Sequence, residues 1–269
     1  MIGRDGHGRG GAAGTARRAS CTLAAILVLL CPASLPSQER WTLDLGTEVA
    51  DTSIGSSRQR WWSGRAQLAY RREGVGAGFL GSETQARDGD TDVTVFASGY
   101  RHLGDWTVYG KLSVGPEADF LHRYWVEGEA SRRLVGTLVG HLGYRFLEFR
   151  AATRHLFMPG ATLYLAKGEL EARAFLVQDD DLGARGRTLL LRGAWDVHPR
   201  VSLGAGVALG TRIFDVSSIA GANADAWTAF GNVRVRLTPR DRIELSVSVS
   251  HENPSFDQRA IGLAYRRTF

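Results

Sequence analysis

The side chains of this sequence that could do chemistry form a few small charged groups. Asp88, Asp90 and Asp92 alternate along a polar segment in the manner of a Ca²⁺ loop, which needs several hard oxygen ligands. Val93 and Gly99, however, stand where an EF-hand needs glycine and glutamate. A solvated acidic segment therefore fits better than a Ca²⁺ site, and the same holds for the acidic run at 179–181.

A serine hydrolase site near the C-terminal end is a second chemical possibility. His251 and Glu252 follow Ser248 and Ser250, and a serine nucleophile requires a base and an orienting carboxylate. Adjacent residues of a strand point to opposite faces, so His251 and Ser250 cannot easily pair. The seven histidines show no spacing that is typical of zinc. We therefore predict no catalytic residue, no metal site and no cofactor.

The elements that must position these residues are strands. Apolar and polar residues alternate in runs of about ten residues that end at Gly, Pro, Asp or Asn, and no helical periodicity is sustained. Val233 and Val235, for example, share an apolar face, whereas Arg234 and Arg236 take the opposite face. Tilted membrane strands need roughly 9 to 11 residues, whereas globular strands average about 5 to 6. These long runs favour a membrane barrel over a soluble sandwich.

The charged side chains opposite the apolar face are predicted to point into the barrel lumen. Buried charges persist only when they are paired or hydrated, so a mixture of Arg and Glu implies either a water-filled channel or a plug of ion pairs. The sequence leaves both open. The predicted pore-lining residues are Glu127, Glu129, Glu148, Arg150, Arg154, Arg192, Arg234 and Arg236.

The C-terminal strand carries a second predicted set, which faces lipid. Ile261, Leu263, Tyr265 and Phe269 fall on one face of a strand over residues 260–269. This ending resembles the last strand of bacterial outer-membrane barrels, which stop at an aromatic residue, and the resemblance implies that the barrel assembly machinery reads Phe269. We predict an all-β fold, a transmembrane antiparallel up-and-down β-barrel of about 12 strands (range 10 to 14).

The N-terminal segment reads as a secretory signal peptide. Arginines precede the apolar run 21–30, which at about ten residues is too short to cross a bilayer as a helix. We predict cleavage between residues 33 and 38, so that 1–37 is removed and 38–269 forms the barrel. A lipid anchor is the less favoured alternative, since the residue before Cys31 is Leu30.

Cysteine usage and charge exclude several function classes. Cys21 and Cys31 both lie in the predicted signal peptide, so the predicted mature chain has no cysteine. Disulfide scaffolds, thiol catalysis and Cys-ligated metal sites are therefore excluded for it. Four Arg and one Asp also lie in the predicted signal peptide, which leaves 29 basic against 27 acidic residues in the remainder. We therefore predict no nucleic-acid partner.

The connections between the runs differ in length. Outer-membrane barrels have short periplasmic turns and longer outer loops. Counting back from a last strand that ends in the periplasm places the longer connections outside. The short ones are 71–74, 198–199 and 238–241, and the longer ones are 51–58, 82–91, 178–185 and 215–225.

The most recognisable stretch lies between residues 109 and 164. It contains Leu-Ser-Val-Gly-Pro-Glu-Ala-Asp-Phe-Leu at 112–121, then Gly143-Tyr144-Arg145 and Pro159-Gly160. This resembles the YaiO-type outer-membrane barrel family, and the specific part is Gly-Pro-x-Ala-Asp-Phe, after which a proline is expected where His122 stands. Some relatives place helical repeats before the barrel and resemble portals of exopolysaccharide export. The resemblance implies fold and location, with no established enzymatic chemistry.

Three functions are compatible with these observations. The first is a non-enzymatic outer-membrane barrel that acts as a small pore or as a component of envelope or exopolysaccharide traffic. The second is an outer-membrane hydrolase acting on lipid or peptide, and the third is a secreted soluble β-sandwich that binds a ligand. For the first, we expect location in the bacterial outer membrane and three partners: outer-membrane lipid, the barrel assembly machinery, and a polysaccharide or small solute.

Overall fold

The computed structural model describes residues 39–181, 183, 185–211, 225–253 and 256–269. The predicted signal peptide and its cleavage position lie outside these residues. The strands within the described part are β1 (Glu39–Ile54), β2 (Ser57–Arg72), β3 (Gly76–Arg87), β4 (Asp90–Leu103), β5 (Trp106–Val114), β6 (Tyr124–Val135), β7 (Leu138–Glu148), β8 (Thr153–Leu165), β9 (Gly168–Asp179), β10 (Arg185–His198), β11 (Val201–Gly210), β12 (Ala226–Arg236), β13 (Asp241–Glu252) and β14 (Phe256–Thr268).

These strands form one closed antiparallel barrel in which each strand pairs with its neighbours in sequence. β1 pairs with β14 from Thr42 opposite Thr268 to Ile54 opposite Phe256, and this pairing closes the sheet. The prediction of an antiparallel up-and-down barrel is confirmed. Its fourteen strands lie within the predicted range, at the upper end and two above the central value. A soluble β-sandwich is excluded, because the sheet closes on itself and leaves no edge.

Two of the predicted long connections are mostly strand. Residues 51–58 form the ends of β1 and β2 around a turn at Gly55, and 82–91 form the ends of β3 and β4 around Asp88 and Gly89. Asp88 and Gly89 both have positive φ, 52° and 96°, which is the backbone of a two-residue hairpin turn. Both segments are therefore polar strand ends joined by tight turns rather than loops.

The two ends of the barrel differ. At one end, which we name the turn end, the connections have two to four residues: 73–75, 104–105, 136–137, 166–167, 199–200 and 237–240. The opposite end, the loop end, has two-residue turns at 55–56 and 88–89 and a four-residue connection at 149–152, but it also carries the nine-residue connection 115–123. The strand ends at Gly210 and Ala226, which are separated by 15 residues in sequence, lie at this end as well. The chain termini of the barrel, Glu39 and Phe269, lie at the turn end.

The outer face is apolar and open. Leu80, Val247 and Ile261 are each more than half exposed, and many other apolar side chains share this face. A belt of this size would be unfavourable in water, whereas hydrocarbon chains would cover it. No helix within the described ranges is long and apolar enough to span a bilayer.

Inside the barrel, the loop-end half holds two apolar clusters. One contains Leu147, Leu156, Met158, Phe175 and Val177 on β7 to β9. The other contains Ala50, Trp61, Phe256 and Ala260 on β14, β1 and β2. Beyond these clusters the inner face is charged, so the polarity of the lumen changes along its axis.

Candidate functional site

The lumen is the candidate functional site, and a segment of chain folds into its loop end. Residues 115–123, which we name the inward loop, are held there by Asp92 of β4. The Asp92 carboxylate accepts hydrogen bonds from the backbone N–H groups of Asp119 (3.0 and 3.1 Å), Phe120 (2.7 Å) and Leu121 (2.7 Å). Asp92 is 5% exposed. A carboxylate that receives several N–H donors is a strong anchor, because each hydrogen bond is charge-assisted.

The sequence of the inward loop explains its path. A Cβ atom at Gly115 would lie 2.7 Å from Thr94 Cγ2 and 3.0 Å from the Val93 carbonyl, so the chain can turn inward there only without a side chain. The Ala118 N–H donates to the Gly115 carbonyl at 2.9 Å, and Ala118 is 1% exposed. The Gly-Pro-x-Ala-Asp-Phe segment is therefore the start of the inward loop.

The far side of the inward loop packs on cationic and aromatic side chains. The Arg87 guanidinium lies 4.7 Å from the Phe120 ring centroid and 4.0 Å from that of Trp61. Trp61 belongs to the apolar cluster on β14, β1 and β2. The inward loop thus links the wall at β4 to the wall at β2 and β3, and it narrows the lumen between them.

His122 fixes the returning end of the inward loop. Its Nε2 lies 2.8 Å from Ser113 Oγ, and its ring meets Trp125 edge-on at 5.0 Å. Burial, followed by the positive charges of Lys111 and Arg145, lowers the pKa of His122 from 6.5 to about 4. The imidazole is therefore neutral at pH 7, and its contacts are those of a neutral ring.

Arg150 lies outside the strands, in the connection 149–152, where it had been predicted to line the pore from a strand. Its guanidinium forms an ion pair with Asp119 of the inward loop. The Arg123 N–H also donates to the Glu148 carbonyl at 2.6 Å. The connection 149–152 and the adjoining end of β7 therefore hold the inward loop at the loop end of the lumen.

The middle of the lumen contains a network of ion pairs. Arg173 forms ion pairs with Glu129 at 2.6 Å and with Glu171 at 2.9 Å, and Arg192 forms an ion pair with Glu171 at 2.5 Å. His141 Nδ1 lies 3.5 Å from Glu129. Three strands, β6, β9 and β10, are thereby cross-linked on their inner faces, as the strand alternation predicts for Glu129 and Arg192.

Two further pairs extend this network. Glu127 accepts from Arg145 at 2.7 Å, and Arg154 bonds Asp179 at 3.2 Å, where both side chains are nearly buried. The Lys111 ammonium lies 3.6 Å from the Trp125 ring centroid. Glu127 and Arg154 thus lie on the inner face, but in ion pairs rather than as free charges.

Glu148 does not lie on the inner face. In β7, Leu142 and Tyr144 point outward, and Glu148 shares their side of the strand, directly opposite the outward Tyr124. The prediction that Glu148 lines the pore was therefore wrong. The start of β7 after the turn at 136–137 sets the phase of its alternation, and that start could not be read from the sequence.

At the turn end, Arg234 and Arg236 lie on the inner face. Arg234 forms an ion pair with Glu244 at 2.8 Å, and its neighbour Asn232 donates to the same carboxylate at 2.8 Å. Arg234 and Arg236 line a cavity of about 400 Å³ that also contains Lys167, Arg200 and Arg242. This end of the lumen is strongly basic.

Of the four residues predicted to face lipid, Ile261, Leu263 and Tyr265 lie on the outer side of β14, and Phe269 follows the strand directly on the same side. Ile261, Leu263 and Phe269 are 55%, 52% and 62% exposed. Tyr265 is less exposed, because its hydroxyl donates to Asp241 at 2.6 Å. Their contact with lipid and their use in assembly remain predictions.

The described residues offer one candidate for hydrolytic chemistry that the sequence did not reveal. Tyr144 Oη lies 2.5 Å from His155 Nδ1, and His155 Nε2 lies 3.0 Å from Asp180 Oδ2, all at the outer side of the loop end. The hydroxyl, imidazole and carboxylate follow the order of a nucleophile triad, but with a phenol in place of serine and with the two ring nitrogens exchanged. The residues come from separate strands and a connection, so no local spacing could indicate it.

The site around His251 does not form a hydrolase triad. His251 hydrogen-bonds Asp257 at 2.8 Å and Asn253 at 3.1 Å, whereas Ser250 bonds Thr228 on the inner face. Asp92, the third member of the acidic alternation, anchors the inward loop instead of facing a cation. Within the described ranges, no group of three or more His, Cys, Asp or Glu could hold a metal ion.

Comparison with known proteins supports the architecture. A family model described as the YaiO membrane beta barrel domain matches residues 56–212. A loop L8 deletion mutant of OmpT, an outer membrane protein of Vibrio cholerae, is 11% identical over 87% of this chain and 99% of that chain, with a TM-score of 0.52. An outer membrane channel from Pseudomonas putida F1 is 12% identical over 88% of this chain and 97% of that chain, with a TM-score of 0.50. No curated protein matches the sequence significantly.

Proposed function

The chain belongs to the YaiO family of membrane β-barrel domains, and from this premise we propose that it is a non-enzymatic pore that admits polar solutes. It is a protein of the bacterial outer membrane. Barrels of this kind place short turns in the periplasm and longer loops outside, so the turn end faces the periplasm and the loop end faces the medium.

The observation that carries the proposal is the polarity of the inner face. A barrel that served only as an anchor could fill its interior with apolar side chains, whereas this one holds Glu127, Glu129, Arg173 and Arg192 in the middle of the lumen. Charged groups inside a membrane are costly unless they are paired or hydrated, and they commonly mark a solute path.

The inward loop supports a selective pore rather than an open tube. It narrows the loop end, and it brings Phe120 next to the cationic and aromatic side chains of Arg87 and Trp61. Aromatic faces beside hydrogen-bonding groups suit hydrated organic solutes such as saccharides. We therefore infer that the pore serves the traffic of envelope material, with an exopolysaccharide or its fragments as the favoured solute class.

Single-channel recording tests this proposal. Purified full barrel, shown to be folded by a heat-modifiable gel shift, is expected to give discrete conductance steps in planar bilayers. The matched control is the same protein after heat denaturation, which should give none. If folded protein inserts, as shown by protease protection in vesicles, but never conducts, the pore proposal fails.

A lipid hydrolase is the second candidate, and the hydrogen-bonded chain of Tyr144, His155 and Asp180 is the observation that favours it. A phenol is a weak nucleophile at pH 7, since its ordinary pKa is about 10. Release of fatty acid from lipid in mixed micelles, lost in Tyr144→Phe, would establish this activity. No release by folded wild-type protein would remove the candidate.

A further inference from the structure

The turn end of the lumen carries a row of like charges that the ion-pair network does not neutralise. Arg236 on β12 lies directly opposite Arg242 on β13, and Arg242 lies directly opposite Arg266 on β14. We name these three residues the arginine row. Directly opposite side chains in an antiparallel sheet have Cβ atoms about 4.5 to 5.5 Å apart, and like charges at that separation destabilise the sheet.

Few carboxylates lie near the arginine row. Arg266 forms an ion pair with Asp44 of β1, and Glu244 pairs with Arg234, one step deeper in the lumen. In the part of the chain that the structure describes, neither Arg236 nor Arg242 forms an ion pair. Arg242 is within electrostatic range of Arg234 and Arg71 as well as of its two neighbours in the row. The repulsion is therefore only partly relieved by the protein.

The cavity beside the row adds further positive charge. It has a volume of about 400 Å³, and it is lined by Lys167, Arg200, Arg234, Arg236 and Arg242. Its acidic neighbours are Asp196, which accepts from Ser202 at 2.5 Å, and Glu244. Five cationic groups thus face two carboxylates, an excess of three positive charges in one confined, water-accessible space.

We propose that the arginine row and its cavity bind the oxyanion groups, carboxylate or phosphate, of an anionic solute at the periplasmic mouth of the lumen. The guanidinium fork matches such oxyanions bidentately, and neighbouring forks on three strands can hold successive groups of one chain. A mouth lined by one sign of charge also raises the local concentration of counter-ions. This inference deepens the proposed function, because it names the chemistry of the solute.

Titration calorimetry of the full barrel in detergent at low salt tests the proposal without requiring conduction. The probes are a galacturonate hexamer, inorganic phosphate, and neutral maltohexaose of equal length. We expect the wild type to bind the uronate or the phosphate, with affinity that falls as KCl is added, and not to bind maltohexaose. Binding of the uronate alone would assign a carboxylate ligand, and binding of phosphate alone would assign a phosphate ligand.

The decisive variant is Arg236→Gln with Arg242→Gln, which should weaken anion binding about tenfold or more. Its matched control is Arg101→Ala with Arg240→Ala, which removes the same charge from the same end of the barrel but outside the lumen. Because the Gln variant relieves repulsion, its heat-modifiable folded fraction should not fall.

Three results would overturn the proposal. They are no binding of either anion by folded wild type, equally tight binding of maltohexaose, and an affinity for anions that the Gln variant retains in full. A barrel that binds anions but does not conduct would contradict the proposed pore and leave this site standing. A barrel that conducts but binds neither anion would contradict this site and leave the proposed pore standing.

Discussion

At the scale of single residues, Asp92 has the most consequence, because one carboxylate holds three consecutive N–H groups of the inward loop. We predict that Asp92→Asn loosens the inward loop, since the amide keeps one oxygen but loses the charge. Hydrogen bonds to a charged group contribute about 1.5 to 3 kcal/mol each, so the docking of the loop should weaken by at least ~2 kcal/mol.

Conductance and limited proteolysis measure this effect. Asp92→Asn should raise the mean single-channel conductance or its open-state noise, and it should expose the 115–123 segment to protease. Asp90→Asn, an exposed change on the same strand, is the matched control and should behave as wild type. Identical traces and identical cleavage for the two variants would refute the anchoring role.

His122 gives the inward loop a predicted pH dependence. Its pKa is about 4 when docked and 6.5 in the unfolded chain, so the unfolded state binds more protons between these values. Docking is therefore fully stabilised above about pH 6.5, and up to ~3 kcal/mol is lost as the pH falls to 4. Trp125 fluorescence between pH 7 and 4 reports the change. His122→Gln should not show this loss of docking stability between pH 7 and 4. A fluorescence curve that the substitution leaves unchanged would contradict the predicted role of His122.

The sequence predicted the inner face for most charged residues but not their partners. Glu127, Glu129, Arg154, Arg192 and Arg234 lie inside because strand alternation fixes the face of a residue once its strand is phased. The partners of these charges come from other strands, so no local pattern identifies Arg173 or Asp179. Arg150 lies beyond the end of β7, where alternation stops, and Glu148 was assigned to the wrong face because the phase of β7 could not be read from the sequence.

At the scale of the strand, the two faces of β12 predict different costs for substitution. Val233 is 40% exposed on the outer face, whereas Arg234 is paired inside. We predict that Val233→Arg, which is nearer the middle of the strand, destabilises the barrel in bilayers by about 2 to 4 kcal/mol, because it places a charge against lipid. Arg234→Ala should cost far less. Urea unfolding of each variant in vesicles compares them.

Spin labels at 233 to 236 provide the control for that comparison. Labels at 233 and 235 should be accessible to oxygen dissolved in lipid, and labels at 234 and 236 to a water-soluble relaxant. Low oxygen accessibility at both outer positions would contradict contact between this face and lipid.

The contacts and position of Phe269 indicate that it has a role in assembly. The Phe269 N–H donates to the Trp41 carbonyl at 2.9 Å, and its ring lies on the outer face at the turn end. Deleting Phe269 removes both this closure contact and the terminal aromatic side chain. We expect a lower yield of heat-modifiable barrel in the outer membrane, whereas Thr268→Ser should have no effect. An undiminished yield from the deletion would argue against the role.

Strand number shows where sequence reasoning about elements fails. Alternation identifies the strands, but it does not separate a polar strand end from a loop, because both are hydrated beyond the membrane. The turn at Asp88 and Gly89 was recognisable as a hairpin signal, yet its acidic neighbours suggested a loop. The two-residue turn at 136–137, where Gly136 has positive φ, is equally hard to recognise, because apolar residues flank it on both sides.

For the whole molecule, fold and location were predictable and the filling of the lumen was not. The barrel follows from the repetition of one alternating pattern over many strands, so a wrong boundary in one strand does not change the predicted fold. The inward loop depends on one glycine and one distant carboxylate, Gly115 and Asp92, and such long-range pairings leave no periodic trace. The Gly-Pro-x-Ala-Asp-Phe motif was visible in the sequence, but the inward turn of the chain that it makes was not.

The height of the barrel wall varies around its circumference. β1 and β2 each have 16 residues, whereas β11 has 10. A strand rises about 3.3 Å per residue and tilts by about 40°, so a 16-residue strand stands roughly 40 Å tall against an apolar band of about 25 Å. We predict that the first hairpin rises above the acyl chains into the carbohydrate of the outer leaflet. Arg58 and Arg60, which are exposed on its outer side, would there meet the sugar and phosphate of glycolipid headgroups.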